Sequence, residues 1–227
     1  MNPRTLDHVA LWVSERAAVA DFLYRHLGMH EIERTDSFTL CGVDARLGKL
    51  TLFDAPGPRE PGALERIVLR VGDLDAALAG LPAEVQLRPD DGTATAAFAG
   101  PDGVPLGLVQ APGRDYDLDH VLLRVSDPER SAQALGDLGF AREDGRLRVA
   151  DRHVRLLPGG GGQVGRPLLN HLALLVDSAD DSRAEAERLG VEITQVKDAP
   201  NTLAVFVRGP DGVEIEYVEH KPGFALV

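Results

Sequence analysis

The sequence predicts an α+β fold in which four repeated βαβββ modules form two paired half-barrel domains. Three observations predict it. A strand-like apolar segment occurs four times, roughly every fifty-five residues. A helix-like stretch follows each copy, and short strands with a recurring turn follow the helices.

The first strand of each module combines branched and apolar side chains with a variable third position. That third position holds His8, Arg66, His120 and His171 in the four copies. The segments are LDHVALWV at 6–13, LERIVLRV at 64–71, LDHVLLRV at 118–125 and LNHLALLV at 169–176. Their common length and pattern favour one supersecondary unit used four times.

A helix is predicted after each first strand. Ser14, Asp73, Asp127 and Ser178 stand where a helix begins, and their side chains are typical N-caps. Three of the helical stretches end at a glycine, which is the usual residue after a helix. The predicted helices are therefore short and lie between the first and second strands of their modules.

The later strands are clearest in the second and fourth modules. They read VQLR, TATAAFAG and VPLGLVQ in one and VEITQV, TLAVFVRG and VEIEYVE in the other. The same turn sequence, GPDGV, joins the last two strands at 100–104 and at 209–213. Matching turns at matching places support the repeat.

Segments rich in glycine and proline separate the modules, at 55–63, 111–117 and 157–167. A single module leaves one face of its sheet uncovered, so we expect the modules to pair. The expected pairs are the first with the second, in residues 1–113, and the third with the fourth, in residues 114–227.

Composition excludes several classes of function. The chain carries 24 Lys and Arg against 36 Asp and Glu, a formal charge of −12, which disfavours nucleic-acid binding. No apolar run approaches a membrane span, and the first residues do not resemble a signal peptide. We therefore expect a cytoplasmic protein without membrane contact. Cys41 is the only cysteine, which excludes an intrachain disulfide and a thiolate zinc cluster.

A strand with a histidine, a helix, three strands and an acidic residue after a PDG turn together resemble the vicinal oxygen chelate superfamily. That superfamily includes glyoxalase I, type I extradiol dioxygenases, fosfomycin resistance enzymes and bleomycin-binding proteins. Four modules in one chain most resemble the extradiol dioxygenases. The resemblance implies a divalent metal held by His120, His171 and Glu216, which is the ligand set of non-heme Fe(II) enzymes.

The first two modules serve as an internal comparison. Their equivalent positions hold His8, Arg66 and Gly107. A guanidinium cannot bind a cation and glycine has no side chain, so His8 is expected to lack partners. The metal site would then be lost from the N-terminal pair, which would be structural or form an entrance or subunit contact.

The resemblance also implies a catalytic histidine on the last strand of the third module, and His153 occupies that place. The chain departs from the dioxygenase pattern at two other places. Phe206 stands where the family has a tyrosine, and the segment beginning at Lys197 stands where it has a second histidine. We assign no role to His220.

The leading hypothesis is a non-heme Fe(II)-dependent, ring-cleaving oxidoreductase that acts on a small catechol-like substrate with two neighbouring oxygens. One alternative is a glyoxalase-like lyase or isomerase, or a thiol transferase, which would use Zn(II), Ni(II) or Mn(II) as a Lewis acid. Another is a resistance protein that binds a small molecule without chemistry, although aromatic residues make up only 5% of the chain. The oligomeric state stays open, because relatives often form homo-oligomers.

Overall fold

The computed structural model describes residues 1–89, 95–160 and 165–227. Parts of the predicted TATAAFAG strand and of the third linker lie outside these ranges. All four expected first strands are present, three of them with the predicted bounds and the first one residue longer. Within the described ranges, no helix has the length and apolar character needed to cross a membrane.

Each module contributes one helix and four strands. The first comprises β1 (Thr5–Val13), α1 (Arg16–His26), β2 (His30–Arg34), β3 (Phe38–Gly42) and β4 (Lys49–Asp54). The second comprises β5 (Leu64–Val71), α2 (Leu74–Ala79), β6 (Arg88–Pro89), β7 (Thr95–Ala99) and β8 (Pro105–Gln110). The third comprises β9 (Leu118–Val125), α3 (Pro128–Asp137), β10 (Ala141–Glu143), β11 (Arg146–Val149) and β12 (Arg152–Pro158). The fourth comprises β13 (Leu169–Val176), α4 (Ala179–Leu189), β14 (Ile193–Asp198), β15 (Thr202–Arg208) and β16 (Glu214–His220).

The fold class is confirmed, but the expected pairing of modules is wrong. One eight-stranded sheet has the order β14-β15-β16-β13-β1-β4-β3-β2, and we call it the 1–4 sheet. The other has the order β10-β11-β12-β9-β5-β8-β7-β6, and we call it the 2–3 sheet. Residues 1–113 and 114–227 therefore each contribute one module to each sheet. The four first strands are so alike that their sequences do not specify which two pair.

Three of the four predicted helix caps are confirmed. The side chains of Asp73, Asp127 and Ser178 accept hydrogen bonds from backbone amides three residues further on. The prediction for Ser14 is wrong, because its hydroxyl instead donates to Asp102 at 2.6 Å in the PDG turn of the second module. Modules that are consecutive in sequence thus meet through these turns, although they belong to different sheets.

The backbone conformation of the PDG turns positions the aspartate for this hydrogen bond. Asp102 and Asp211 have φ values of 58° and 54°, a left-handed conformation that aspartate tolerates better than most side chains. Asp211 repeats the contact in the C-terminal half, where it accepts a 2.5 Å hydrogen bond from the Ser126 hydroxyl. The repeated turn sequence therefore fixes how modules 3 and 4 meet as well as modules 1 and 2.

A buried ion pair of the third module also contacts the 1–4 sheet. Arg152 of β12 donates two hydrogen bonds from Nη2 to the Asp117 carboxylate, at 2.9 and 2.8 Å. Asp117 Oδ1 also accepts from the backbone amide of Gly48, just before β4, at 2.8 Å. A Cβ atom at Gly48 would lie 2.2 Å from Leu118 Cβ, so only glycine allows this approach. Both charges are paired, as buried charges must be.

The apolar core is continuous and includes residues of all four modules. Tyr217 of β16 is fully buried in it, and its hydroxyl donates to the carbonyl oxygen of Leu138 at 2.7 Å. Leu138 follows α3, so this hydrogen bond ties the third module to the fourth. The two modules are held together by packing and by this polar contact.

We predict that Tyr217→Phe lowers the free energy of unfolding by about 1 kcal/mol, because it leaves the buried Leu138 carbonyl without its donor. Tyr24→Phe is the matched control. Among the described residues, its hydroxyl hydrogen-bonds only the weak acceptor Cys41 Sγ, at 3.5 Å, so a smaller loss is expected. Urea unfolding measures both. Equal losses in the two variants would contradict the importance of the Leu138 contact.

Candidate metal centre

The 1–4 sheet encloses a cavity of about 420 Å³ between modules 1 and 4. Its walls include the aromatic rings of Phe38, Phe53 and Phe206. One cluster of side chains that could hold a metal also lines it, formed by His8, His171 and Glu216.

The three candidate ligand atoms lie close to one another. His8 Nε2 is 3.1 Å from His171 Nε2 and 3.2 Å from Glu216 Oε2, and His171 Nε2 is 2.9 Å from the same oxygen. Ligands at right angles around an ion, with bonds of about 2.1 Å, lie about 3.0 Å apart. The two imidazole planes differ by 71°, so their lone pairs can converge. The arrangement matches one face of an octahedron.

Strand pairing places these three residues. The antiparallel pairing of β1 with β13 sets Ala10 opposite His171 and Ala173 opposite His8. The parallel pairing of β13 with β16 sets Glu216 beside Ala173. The ligands therefore come from three adjacent strands near the centre of the sheet.

The fourth equivalent position lacks a carboxylate. In module 1, β4 pairs with β1 as β16 pairs with β13 in module 4, and Thr51 beside Ala10 corresponds to Glu216 beside Ala173. Thr51 is buried and lines the cavity. The centre thus has three strong ligands and leaves one side open to the cavity.

Each histidine is oriented by the residue that precedes it. His8 Nδ1 donates to Asp7 Oδ2 at 2.9 Å, and His171 Nδ1 donates to Asn170 Oδ1 at 3.1 Å. Both rings therefore direct Nε2 toward the centre. In metal sites, hydrogen-bond acceptors at Nδ1 commonly orient histidine ligands in this way. Asp7 is in turn held by Lys49 Nζ at 2.8 Å. The aspartate or asparagine before each histidine recurs in the aligned segments, and its role was missed in the sequence.

The protonation states follow from burial and from the neighbouring charges. Burial alone would raise the pKa of Glu216, but His171 and His8 outweigh it and hold that pKa well below its usual range. Burial would lower the pKa of His8, but the neighbouring carboxylates of Asp7 and Glu216 raise it to about 9. Burial lowers the pKa of His171. Without metal at neutral pH, a protonated His8 therefore provides the cation beside Glu216.

The residues fit a divalent metal. Glu216 Oε2 is buried and, among the described residues, has no hydrogen bond of acceptable geometry, although two imidazole nitrogens lie close to it. The two Nε2 atoms hydrogen-bond each other at 3.1 Å, so Glu216 Oε2 is the atom that a cation at the shared point would satisfy. Two imidazoles and one carboxylate suit Fe(II), Mn(II), Zn(II) or Ni(II).

The predicted ligand set is corrected in one member. His171 and Glu216 lie together as predicted, but His120 belongs to β9 of the 2–3 sheet. His8 takes its place, so the expectation that His8 lacks partners and that module 1 has lost the site is wrong. The cause is the pairing of module 1 with module 4. Arg66 and Gly107, on β5 and β8, lie in the 2–3 sheet with His120.

His153 does not reach this centre. It lies on β12 beside His120, and the two rings stack with centroids 4.5 Å apart. The prediction of a catalytic role for His153 at the metal held by His171 is therefore wrong. The reason is the same as for His120: module 3 does not share a sheet with module 4.

The cavity contains other polar side chains whose roles were missed or left open. His220 lies two alternations beyond Glu216 on the same face of β16, and its Nε2 is 3.6 Å from Asp7 Oδ1. The strand alternation could have identified it. Lys197 lines the wall as well, and Phe206 packs edge-on against the His171 ring at 5.2 Å.

Comparison with known proteins agrees with this fold. A family model described as the Glyoxalase/Bleomycin resistance protein/Dioxygenase superfamily matches residues 5–108 and 117–217. No curated protein sequence matches the chain.

Similar solved structures share the fold at low sequence identity. A putative dioxygenase from Bacillus subtilis is 16% identical with a TM-score of 0.79, over 99% of this chain and 87% of the other. Glyoxalase I from Zea mays is 19% identical with a TM-score of 0.75, over 95% and 92%. The cppA protein from Streptococcus pneumoniae is 16% identical with a TM-score of 0.60, over 96% and 99%.

We predict that Mn(II) affinity rises with pH. A metal needs neutral imidazole, and the pKa of His8 near 9 means that binding below that pH displaces a proton. The dissociation constant should fall about tenfold per pH unit from about pH 7 to 9 and then level off. Calorimetric titration measures it. In Asp7→Asn the steep range should move to lower pH, and a flat wild-type profile would contradict the protonated His8.

Proposed function

The chain belongs to the glyoxalase, bleomycin resistance protein and dioxygenase superfamily, and on that premise we propose that it is a metal-dependent oxidoreductase of the extradiol dioxygenase type. The proposed metal is Fe(II), held by His8, His171 and Glu216. The proposed substrate is a small catechol-like molecule with two neighbouring oxygens. The observation that carries the proposal is the open three-ligand centre.

The number of ligands favours this chemistry over a glyoxalase-like one. The glyoxalase I site usually carries four protein ligands, and Thr51 stands here where the pseudo-symmetry would place the fourth. A centre with three ligands on one face leaves adjacent positions for a bidentate substrate and for dioxygen. When bound, the metal supplies Lewis acidity and, as Fe(II), electrons for the reduction of dioxygen.

The cavity supports a small aromatic substrate. Its volume of about 420 Å³ lies within the range of small-molecule sites. Phe38, Phe53 and Phe206 offer apolar walls for a ring, and Lys197 offers a cation to a substrate oxyanion. Binding here orients the two substrate oxygens toward the open side of the ligand triad.

His220 is the proposed acid or base in place of His153. It lines the cavity, stacks on Phe224 with centroids 3.9 Å apart, and faces Asp7. Burial lowers the pKa of His220, so its ring is neutral at pH 7 and can accept a proton from a substrate hydroxyl. Asp7 therefore lies between His8 and His220, within reach of both.

A lyase, isomerase or thiol transferase on the same scaffold is the alternative. It would use the same ligands without dioxygen and would favour Zn(II), Ni(II) or Mn(II). A resistance protein that only binds its ligand is less favoured, because such a role does not require the convergent triad. The identity of the bound metal and the need for oxygen separate these cases.

We predict that wild-type protein purified with iron retains about one equivalent of metal and consumes oxygen with a panel of catechols. His8→Ala, His171→Ala and Glu216→Ala should each lose the metal and the oxygen uptake, because two remaining ligands hold it weakly. His120→Ala is the control and should keep the metal. Metal analysis and an oxygen electrode provide the two readouts.

Two outcomes would overturn parts of the proposal. Oxygen uptake by wild type no greater than that of His171→Ala would exclude the dioxygenase reaction. Retention of zinc or nickel in preference to iron, with oxygen-independent turnover of a thiol adduct, would favour the lyase alternative.

We predict that His220→Gln keeps the metal but lowers kcat by roughly 10²-fold or more, because it removes the proton acceptor. The acidic limb of the pH profile should disappear with it. His30→Gln, at an exposed histidine outside the cavity, should leave both unchanged. Unchanged kcat in His220→Gln would remove this residue from the mechanism.

A further inference from the structure

The 2–3 sheet contains a second cavity, of about 630 Å³. His120 lies in its wall, at the position that His171 occupies in the 1–4 sheet. The second cavity is therefore the repeat of the metal cavity, produced by the other pair of modules.

The carboxylate position of the metal centre is occupied by a cation in this second cavity. His120 pairs with His153 and Leu122 with Arg155, just as His171 pairs with Glu214 and Ala173 with Glu216. Arg155 thus replaces Glu216 and lines the cavity. In module 2 the same position is Gly107, beside Val68. In this sheet a guanidinium therefore stands where the other sheet has the carboxylate that would bind the metal cation.

Two guanidinium groups in the cavity are available to a ligand. Arg146 and Arg155 line it, and neither side chain has an ion pair or hydrogen bond with any described residue. The remaining arginine of the lining, Arg148, is paired with Glu143 at 2.9 Å. A guanidinium binds a carboxylate or phosphate with two parallel hydrogen bonds.

The acidic side chains around the cavity are mostly neutralised. Asp119 lies 3.2 Å from Arg70 Nε and accepts from His120 Nδ1, and Asp151 lies 3.0 Å from Arg70 Nη1. Asp144, which is exposed at the rim, is the carboxylate of the lining without an ion pair to a described residue. The lining carries three arginines and three aspartates, so its formal charge is balanced, and an anion that enters meets the two unpaired guanidinium groups of Arg146 and Arg155.

A buried polar atom also lacks a partner. The His120 side chain is 5% exposed, its Nδ1 donates to Asp119 Oδ1 at 2.7 Å, and its Nε2 has no hydrogen-bond partner among the described residues. Buried polar atoms are rarely left in this state unless a ligand or water completes them. Nε2 belongs to the wall of this cavity, and a bound anion would complete it either by donating the hydroxyl hydrogen of a hydrogen phosphate to Nε2 or by accepting from Nε2 when the ring carries a second proton.

Asp119, His120 and His153 form a second cluster whose candidate ligand atoms lie within 4.8 Å of one another, but a metal ion fits it poorly. The rings of His120 and His153 are stacked with an interplanar angle of 14°, whereas those of His8 and His171 differ by 71°. Imidazole lone pairs lie in the ring plane, so nearly parallel stacked rings do not direct them to one point. Burial, and after it the neighbouring His120, Arg146 and Arg155, lower the pKa of His153 to about 4. The two unpaired guanidinium groups would repel a metal cation at this place.

The geometry points to a binding site for a small anionic molecule, held through a carboxylate or phosphate group by Arg146, Arg155 and His120. The chain then carries two cavities of one origin and opposite charge preference, one for a cation in the 1–4 sheet and one for an anion in the 2–3 sheet. This site does not depend on the reaction proposed for the metal centre.

The test is a titration of Zn(II)-loaded protein with inorganic phosphate and, separately, with succinate. The imidazole signals of His120, identified by their loss in His120→Gln, are followed by NMR. At least one anion should shift them in a saturable way. Arg155→Gln and Arg146→Gln should each raise its dissociation constant about tenfold, since each removes a charge-assisted pair. Arg146 is exposed, so Arg146→Gln should fold normally and keeps the test valid even if Arg155→Gln does not fold.

Two controls locate the anion. Arg183→Gln removes a guanidinium of α4, outside the cavity, and should leave the affinity unchanged. Glu216→Gln disables the metal centre and should also leave it unchanged, which distinguishes this site from an anion bound to zinc. No saturable shift with either anion, equal weakening in Arg183→Gln, or loss of binding in Glu216→Gln alone would overturn the inference. So would a shift of His120 produced by excess Zn(II) without anion.

Discussion

The antiparallel pairing of β1 with β13 determines which side chains can form a centre in this protein. It joins strands from the two ends of the chain and sets His8 opposite Ala173 and Ala10 opposite His171. Two histidines separated by 163 residues thereby come within 3.1 Å. Because a shift of one residue would turn either side chain to the other face of the sheet, the register is as important as the pairing. The helices, the PDG turns and the Arg152 ion pair hold the modules so that this register persists.

Charge balance is the second constraint on the centre. Three ionisable groups that would each be costly to bury alone lie together in the wall of an apolar cavity. Asp7 and Lys49 form a buried pair beside them, so that His8 and Glu216 can carry opposite charges without leaving a net charge inside. A divalent metal would replace the proton of His8 and meet ligands that are already oriented. The hydrogen bonds from His8 to Asp7 and from His171 to Asn170 already orient both rings, so metal binding requires less rearrangement.

Much of the fold follows from local sequence signals, because those signals act within a module. Strand alternation predicted the first strands to within a residue, and side-chain chemistry predicted the caps at Asp73, Asp127 and Ser178. His171 and Glu216 were implied by the family resemblance, and they lie together because both belong to paired strands of module 4. Ser14 was not, because its hydroxyl is used by a turn of another module.

The third ligand could not be obtained in this way. The segments LDHV at 6–9 and 118–121 are identical, so sequence offers no preference between His8 and His120 as the partner of His171. The choice depends on which modules share a sheet, which is a property of packing among all four. The error in His153 followed from it. Once the pairing is known, the same strand alternation that identifies Glu216 also identifies His220.

The two cavities show how a repeat can diverge while its scaffold is retained. The first strands, helices and parallel strand pairs are the same in both sheets, yet Glu216 in one corresponds to Arg155 in the other. Anomalous diffraction from crystals grown with Mn(II) tests the central claim most directly, because it locates the ion itself. The account predicts a single strong peak between His8, His171 and Glu216. A peak beside His120 and His153, with none at Glu216, would contradict it.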